Sequence, residues 1–250
     1  MTGFKDYFSG VSTSYRDFRP HYPEQLFQHL ADIAPSRSIA WDCATGSGQA
    51  ARLLVRHFDR VIATDASASQ IDNAEAVQRI TYRVEPAEST GLETDSIDLV
   101  TVAQALHWFD LPAFEREVRR VCKRNAVLAV WSYAILQSKP SVDAVIEKLY
   151  NGILGDYWTA ERRIVDQGYK DVEFPFESLE SPPFAMCSKW SLDHMLGYLS
   201  TWSAATKYKD RNGKDPVALI ADELTHAWGD PQSRLDVSWP LTVRLWRIPA

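Results

Sequence analysis

Short apolar runs alternate with helical patterns between residues 38 and 133. Five of these runs are expected to be strands, at residues 39–43, 60–64, 80–84, 97–103 and 126–131. Between them, apolar residues recur at three- and four-residue spacing and predict helices over about residues 48–58, 68–78 and 111–123. Such alternation is typical of βαβ units, so we expect an α/β fold, in which helices cover both faces of a mostly parallel sheet.

The segments on either side of this core have a different pattern. Residues 1–37 combine aromatic and proline residues with a helical stretch, and we expect them to form an N-terminal lid. Residues 139–203 contain several amphipathic pieces, which predict a cap inserted over the core. Residues 236–248 are expected to be a final strand, in which Pro240 indicates an edge position or a bulge. We therefore expect a single domain over residues 1–250.

The composition excludes several classes of protein. Hydrophobic residues make up 45% of the chain and charged residues 24%, which excludes a disordered or fibrous protein. The 33 acidic residues outnumber the 27 basic ones, and the resulting charge of −6 disfavours nucleic acid or an anionic membrane as a partner. No run approaches the roughly 18 apolar residues of a membrane span. Cys43, Cys122 and Cys187 form no close pair, so we expect a cytoplasmic protein.

The candidate chemistry lies where the first strand ends, in the sequence WDCATGSGQAA at residues 41–51. Gly46 and Gly48 let the backbone approach a ligand beside the free N–H groups of a helix N-terminus. Asp42 lies at the strand end, and Asp65 lies at the tip of the second strand, where an acid can accept hydrogen bonds from ribose hydroxyls. A nucleoside-containing ligand is therefore expected. The same turn also reads as G-x-G-x-x-A, so a nicotinamide or flavin enzyme is an alternative.

Both acids also have a structural alternative. Asp42 could accept hydrogen bonds from the N–H groups of the loop that follows it. Asp65 could be the N-cap of the next helix, although Ser67 is available for that task.

These residues resemble the first motif of the class I S-adenosylmethionine-dependent methyltransferases. In that family a strand-end acid is followed by glycines at steps of two. Asp42, Ala44, Gly46 and Gly48 occupy those steps, with Ala44 in place of the first glycine. Alanine restricts φ, so we expect a local difference in the loop at that residue. Asp65 matches the ribose-binding acid of the family.

The resemblance extends beyond this motif. Residues 86–88 match the loop after the third strand, which borders the adenine, and residues 104–110 match the segment after the fourth strand. Upstream, the pattern Y-x3-R-P-x-Y-P at residues 15–23 is similar to the subgroup of trans-aconitate methyltransferases. The resemblance implies a Rossmann-like sheet of seven strands, the last one antiparallel, with a helical cap.

The resemblance also implies the site residues. S-adenosylmethionine is the expected cofactor, and the residues expected to bind it are Tyr15, Arg19, Asp42, Ala44, Gly46, Gly48, Asp65, Ala66, Ala87, Glu88, Gln104 and Ala105. The expected substrate residues are His107, Trp108, Tyr133, Trp158 and Arg162. His107 is the candidate catalytic base, because its ordinary pKa suits deprotonation of an alcohol or acid; alternatively, it only lines the wall. No metal site is expected among the scattered histidines.

We therefore expect methyl transfer from S-adenosylmethionine to a small-molecule acceptor, with a carboxylate or hydroxyl oxygen as the acceptor atom. Direct displacement at a sulfonium methyl needs no covalent enzyme intermediate, which agrees with the lack of a conspicuous Ser-His-Asp or Cys-His arrangement. Arg162 and Arg163 are the groups expected to attract an acidic substrate. Two alternatives stay open, a nicotinamide-dependent oxidoreductase and a cofactor-binding protein without turnover, and the sequence leaves the oligomeric state open.

Overall fold

One sheet organises the described part of the molecule. The computed structural model describes residues 20–249. Within that range the sheet contains eight strands: β1 (Ile39–Cys43), β2 (Arg60–Asp65), β3 (Ile80–Val84), β4 (Ile97–Ala103), β5 (Cys122–Tyr133), β6 (Glu177–Leu179), β7 (Phe184–Trp190) and β8 (Leu235–Arg247).

The strand order confirms the predicted fold class. Strands β1 to β5 are parallel and lie in the order β3-β2-β1-β4-β5, and β8 pairs antiparallel with β5. Strands β6 and β7 both pair antiparallel with the other edge of β8, since Leu241 pairs with Tyr133 on one side and Phe184 on the other. The eight strands therefore fill seven positions in a mostly parallel sheet, and the last strand is antiparallel as expected.

Helices pack on both faces of this sheet. They are α1 (Glu24–Ile33), α2 (Ala51–Leu54), α3 (Ala68–Asp72), α4 (Leu111–Val121), α5 (Pro140–Glu147), α6 (Ala160–Asp166), α7 (Leu192–Ser200), α8 (Ser203–Asn212) and α9 (Ala221–Trp228). Three short 3-10 turns lie at Leu106–Trp108, Gly155–Tyr157 and Val217–Leu219, and a π-helix at Lys148–Ile153 continues α5.

Alternate residues of strand β5 contribute to two apolar clusters, one on each face of the sheet. Its residues Ala129 and Trp131 belong to the apolar cluster that includes α1, whereas Leu128 and Val130 belong to the cluster that includes α4. This two-residue alternation follows from the pleat of a strand covered on both sides. Full burial of one large apolar side chain contributes about 1.5–3 kcal/mol, so the two clusters hold the sheet between its helices.

Helix α4 begins as its sequence predicts and ends earlier than expected. The side chain of Asp110 accepts a hydrogen bond from the Ala113 N–H at 3.1 Å, as an N-cap does. The helix ends at Val121, and Cys122 already belongs to β5. The prediction of a helix to residue 123 and a strand over 126–131 was therefore wrong at this boundary.

The buried carboxylate of Asp98 holds together the amino ends of neighbouring strands of the sheet. It accepts hydrogen bonds from the Ser36 hydroxyl at 2.7 Å, the Ile39 N–H at 2.9 Å and the Lys123 ammonium at 2.8 Å. These partners lie before β1, at its first residue and near the start of β5. The bonds therefore hold β1, β4 and β5 in register, which aligns their carboxyl ends.

The two helices after β1 and β2 are shorter than predicted. Helix α2 covers Ala51–Leu54 rather than residues 48–58, because positive φ angles at Gly46 and Gly48 delay its start. Helix α3 covers Ala68–Asp72 rather than residues 68–78 and has no buried residue to extend its packing.

The segment predicted as a cap, residues 139–203, is mostly helical, but it also contains β6 and β7. Helices α8 and α9 continue the helical layer to Trp228. Pro240 pairs with Ala185 of β7 and directly precedes Leu241, where pairing with β5 begins.

Candidate functional site

The candidate site lies at the carboxyl ends of the parallel strands, where the strand order reverses between β1 and β4. Ligands of open α/β sheets bind in the crevice at this point. The loop after β1 contains Ala44, Gly46 and Gly48, with φ angles of 54°, 57° and 82°. Ala44 therefore adopts the left-handed conformation that glycine favours, at a cost of about 1–2 kcal/mol for a residue with a side chain.

The two glycines of this loop have different surroundings. Among the described residues, a Cβ atom on Gly46 would meet only the Oε1 of Gln70, at 3.7 Å, so the backbone is accessible there. A Cβ atom on Gly48 would overlap the Tyr82 hydroxyl and lie 2.9 Å from its Cε1 atom. Gly46 thus leaves room for a ligand, whereas Gly48 leaves room for the Tyr82 ring.

Asp65, at the end of β2, holds the glycine loop through backbone hydrogen bonds. Its Oδ2 accepts from the Gly46 N–H at 2.9 Å, and its Oδ1 accepts from the Ser67 N–H at 2.9 Å. The N-cap residue of α3 is Ser67, so Asp65 is not the N-cap of that helix. The carboxylate is half-buried and lies where the ribose-binding acid is expected.

Asp42, at the end of β1, is buried beneath the loop. Its two oxygens accept hydrogen bonds from the hydroxyls of Thr45 at 2.5 Å and Thr101 at 2.7 Å. Burial raises the pKa of Asp42 to about 6, although the two hydroxyls and the Ala51 N–H lower it. Asp42 therefore supports the loop in this structure, as the structural alternative expected, but mainly through threonine hydroxyls rather than backbone N–H groups.

Three further residues expected at the cofactor follow the strand ends: Ala66 comes after β2, and Ala87 and Glu88 lie in the loop after β3. Ala66 follows Asp65 directly and is exposed, and Ala87 is buried. The Oε1 of Glu88 accepts a hydrogen bond from the Asp110 N–H at 3.0 Å. Glu88 therefore ties this loop to the start of α4, beside the crevice.

Gln104 and Ala105 form the turn that leaves β4. Gln104 has a φ of 57°, and its Nε2 donates a hydrogen bond to the Tyr133 carbonyl at 2.9 Å. Ala105 is buried. The Gln104 side chain thus ties the ends of β4 and β5 together, while its backbone turns the chain toward His107.

His107 lies beside this turn. Together with Tyr169, Arg162 and Trp158 it forms a group of side chains that we call the wall. Its Nδ1 atom is 3.0 Å from the Tyr169 hydroxyl, and its ring contacts that of Trp108 at a centroid distance of 4.6 Å. Burial and the charge of Arg162 lower the pKa of His107 to about 4. The imidazole is therefore neutral at about pH 7 and a weaker base than an ordinary histidine.

Arg162 of α6 extends this wall. Its Nε donates hydrogen bonds to the Tyr150 hydroxyl and to Asp166 Oδ1, both at 2.9 Å. Its guanidinium carbon lies 5.4 Å from the centroid of the Trp158 ring, and Trp158 Nε1 donates to the Tyr150 carbonyl at 3.0 Å. The structure thus places Arg162 and Trp158 together and brings α6 against the turn that carries His107.

Comparison with known proteins identifies the family. Residues 41–130 match a family model described as a methyltransferase domain. A Dictyostelium discoideum protein named as a methyltransferase is 36% identical over 247 residues, which cover 96% of this chain and 94% of that one. The chain belongs to the class I S-adenosylmethionine-dependent methyltransferases.

A solved structure and a second relative agree with this assignment. A structure titled as that of a type II methyltransferase from Anaeromyxobacter dehalogenans has a TM-score of 0.89 and 46% identity, covering 93% of this chain and 99% of that one. A Saccharomyces cerevisiae protein named as an S-adenosylmethionine-dependent methyltransferase is 26% identical over 131 residues, or 49% of this chain and 45% of that one. The expected enzyme class is confirmed, and the nicotinamide-dependent alternative is set aside.

The methyltransferase structure separates some of the residues that the sequence grouped together. Arg162 lies in the wall, whereas the adjacent Arg163 is exposed, so the two arginines do not act as a pair. Tyr133 lies at the end of β5, beside Gln104. Tyr15 and Arg19 lie outside the described residues.

Sequence reasoning did not single out Tyr82, Tyr150 and Asp166. Tyr150 and Asp166 hold Arg162, and Tyr82 fills the space beside Gly48. The i, i+4 spacing of Arg162 and Asp166 on a helix is a sequence signal for this pair.

Within residues 20–249 no group of three or more His, Cys, Asp or Glu residues could hold a metal ion. In the same range, no helix has both the length and the hydrophobicity to cross a bilayer.

Proposed function

We propose that this methyltransferase transfers a methyl group from S-adenosylmethionine to a carboxylate or hydroxyl oxygen of a small-molecule acceptor. The observation that carries the proposal is the corner formed by Gly46 and Asp65 at the switch point of the sheet, in a chain that matches a methyltransferase along almost its whole length. The similarity of residues 15–23 to trans-aconitate methyltransferases supports a small organic acid as the acceptor.

The residues at this corner fit a nucleoside cofactor. Gly46 presents open backbone, and the Asp65 carboxylate lies directly beside it. A carboxylate at the tip of β2 can accept hydrogen bonds from ribose hydroxyls, and Ala87 and Glu88 lie in the loop that would border the base. When bound, S-adenosylmethionine supplies an electrophilic methyl group on a sulfonium sulfur.

The protein positions the acceptor and shapes its surroundings. The acceptor oxygen forms the new bond to the methyl carbon as the bond from that carbon to sulfur breaks, and the electron pair of the broken bond stays on sulfur. An ionised carboxylate loses no proton in this step. A hydroxyl acceptor would release a proton, for which His107 is the candidate base, but its pKa of about 4 makes it a weak base. A carboxylate acceptor therefore agrees better with the site.

The experiment is methyl transfer from labelled S-adenosylmethionine to a library of small acids and alcohols. The proposal expects a labelled methyl ester or ether together with an equal amount of S-adenosylhomocysteine. Methylation only at nitrogen or carbon would refute the choice of an oxygen acceptor. Cofactor binding without transfer to any member of the library would favour a protein without turnover.

A further inference from the structure

The Arg162 side chain is held in place by one edge of its guanidinium group. The Nε–H donates to both Tyr150 and Asp166 at 2.9 Å, and the Tyr150 hydroxyl donates to both Asp166 oxygens at 2.8 and 2.9 Å. The Trp158 and Tyr150 rings lie 5.4 and 5.7 Å from the guanidinium carbon. Two rings and two oxygen atoms thus fix the direction of this arginine.

The terminal nitrogens of Arg162 differ from its Nε atom in their hydrogen bonding. Among residues 20–249 they make no hydrogen bond, although the side chain is only 25% exposed. An arginine that served only the ion pair with Asp166 would need no further donors. Here the Nη1 and Nη2 groups keep four N–H donors in a partly dehydrated wall.

The charge of Arg162 acts toward the candidate acceptor site. It contributes, after burial, to the lowered pKa of His107, and it opposes the rise that burial causes in the pKa of Tyr169. Glu161 and Asp166 are the acidic groups that face this wall from α6. Arg163, the next residue on that helix, is exposed.

We propose that Arg162 binds a carboxylate group of the methyl acceptor through its terminal N–H donors, and that Tyr150 and Asp166 are positioning residues for it. This inference rests on the proposed function and narrows its substrate class to anionic acceptors. The planar guanidinium matches a carboxylate with two parallel hydrogen bonds, and partial dehydration strengthens them relative to surface pairs. The partly exposed rings of Trp158 and His107 offer apolar contacts to the carbon skeleton that carries the carboxylate.

The test uses full-length protein that contains 15N-labelled arginine and is saturated with S-adenosylhomocysteine. Acetate, succinate and benzoate are titrated against their uncharged partners acetamide, succinamide and benzamide. The Arg162 Nε–H resonance is identified by its absence in Arg162→Gln. At least one acid is expected to shift this resonance with saturation, and the matching amide is not.

Arg162→Gln is expected to weaken binding of that acid by about 10- to 100-fold, since a hydrogen bond to a charged group contributes about 1.5–3 kcal/mol. The matched control Arg163→Gln removes the same charge one residue away and is expected to bind the acid as wild type does. Tyr150→Phe retains the ring and removes the hydroxyl, so it is expected to move the Nε–H resonance and weaken acid binding, with S-adenosylhomocysteine affinity unchanged.

Three results would overturn the inference: equal binding of acids and amides, equal binding of acids by wild type and Arg162→Gln, or no binding of any acid to the loaded protein. Failure of the proposed function looks different: S-adenosylhomocysteine would then not bind to the wild-type protein, or labelled methyl groups would be found only on nitrogen or carbon.

Discussion

Asp65 Oδ2 accepts a hydrogen bond from the Gly46 N–H at 2.9 Å, which joins the end of β2 to the loop after β1. The residue expected to bind the ribose therefore also fixes the loop on which the cofactor would rest. Its Oδ1 bond to the Ser67 N–H keeps the carboxylate in one orientation. One side chain thus links the shape of the loop to recognition of the ligand.

Asp65→Ala removes both acceptor oxygens and leaves the two backbone donors without this partner. We expect the free energy of unfolding to fall by about 1–3 kcal/mol and S-adenosylhomocysteine affinity to fall by about tenfold or more. Urea denaturation and calorimetric titration measure the two effects. Asp72→Ala, which removes an exposed acid at the end of α3, is the matched control and should change neither. Wild-type affinity in Asp65→Ala would rule out the ribose assignment.

Gly48→Ala places a methyl group against the Tyr82 ring, and its φ of 82° is unfavourable for alanine. Gly46→Ala meets only the second problem, because its Cβ atom has room. We expect Gly46→Ala to cost about 1–2 kcal/mol in unfolding free energy and Gly48→Ala to cost clearly more.

The combination with Tyr82→Ala separates the two causes in Gly48→Ala. If the ring is responsible, the double variant loses less stability than the sum of the single variants, by about 0.5–3 kcal/mol. Additive losses would show that contact with Tyr82 does not explain the need for glycine at residue 48.

The buried Asp42 carboxyl is expected to make the free energy of unfolding depend on pH. Its pKa is raised from 3.8 to about 6, mainly by burial, so the folded protein binds a proton more tightly than the unfolded chain. The stability contributed by this residue is therefore present below about pH 4 and is lost as the pH rises to about 6. The loss corresponds to about 3 kcal/mol.

Asp42→Asn removes this titration, and an amide can retain hydrogen bonds to the hydroxyls of Thr45 and Thr101. We expect the variant to be more stable than wild type by up to about 3 kcal/mol at about pH 7, with the difference vanishing at about pH 4. Denaturation across this pH range measures both curves. Parallel curves for the two proteins would contradict the raised pKa.

The pKa of His107 depends on the position of the Arg162 charge. Burial and the Arg162 charge lower its pKa to about 4, so Arg162→Gln is expected to raise this pKa toward the ordinary value of 6.5. Arg163→Gln removes a charge from the exposed side of the helix and is expected to leave the pKa unchanged. NMR titration of the imidazole nitrogens, assigned with His107→Asn, measures the shift. An unchanged pKa in Arg162→Gln would place the guanidinium away from His107.

The sequence predicted the parts of the site that depend on local structure. Asp42 and Asp65 could be placed because each ends a short apolar run, and parallel strands bring such ends to one edge of the sheet. The unusual φ of Ala44 was less accessible, because surrounding contacts can hold an alanine in a conformation that its own preference disfavours.

The wall that contains His107, Tyr169, Arg162 and Trp158 was harder to predict because it depends on long-range packing. Tyr150 and Asp166 form their hydrogen bonds with Arg162 only when the π-helix and α6 fold together over the end of the sheet. Strands β6 and β7 likewise depend on pairing with β8, about 50 residues later in the chain for β7, and their own sequences carry only a weak strand pattern.

Calorimetric titration of the wild-type protein with S-adenosylhomocysteine, compared with NAD and NADP, tests the central claim most directly. Binding of one S-adenosylhomocysteine per chain, with no measurable heat from either dinucleotide, is the predicted result. Binding of a dinucleotide without binding of S-adenosylhomocysteine would contradict it.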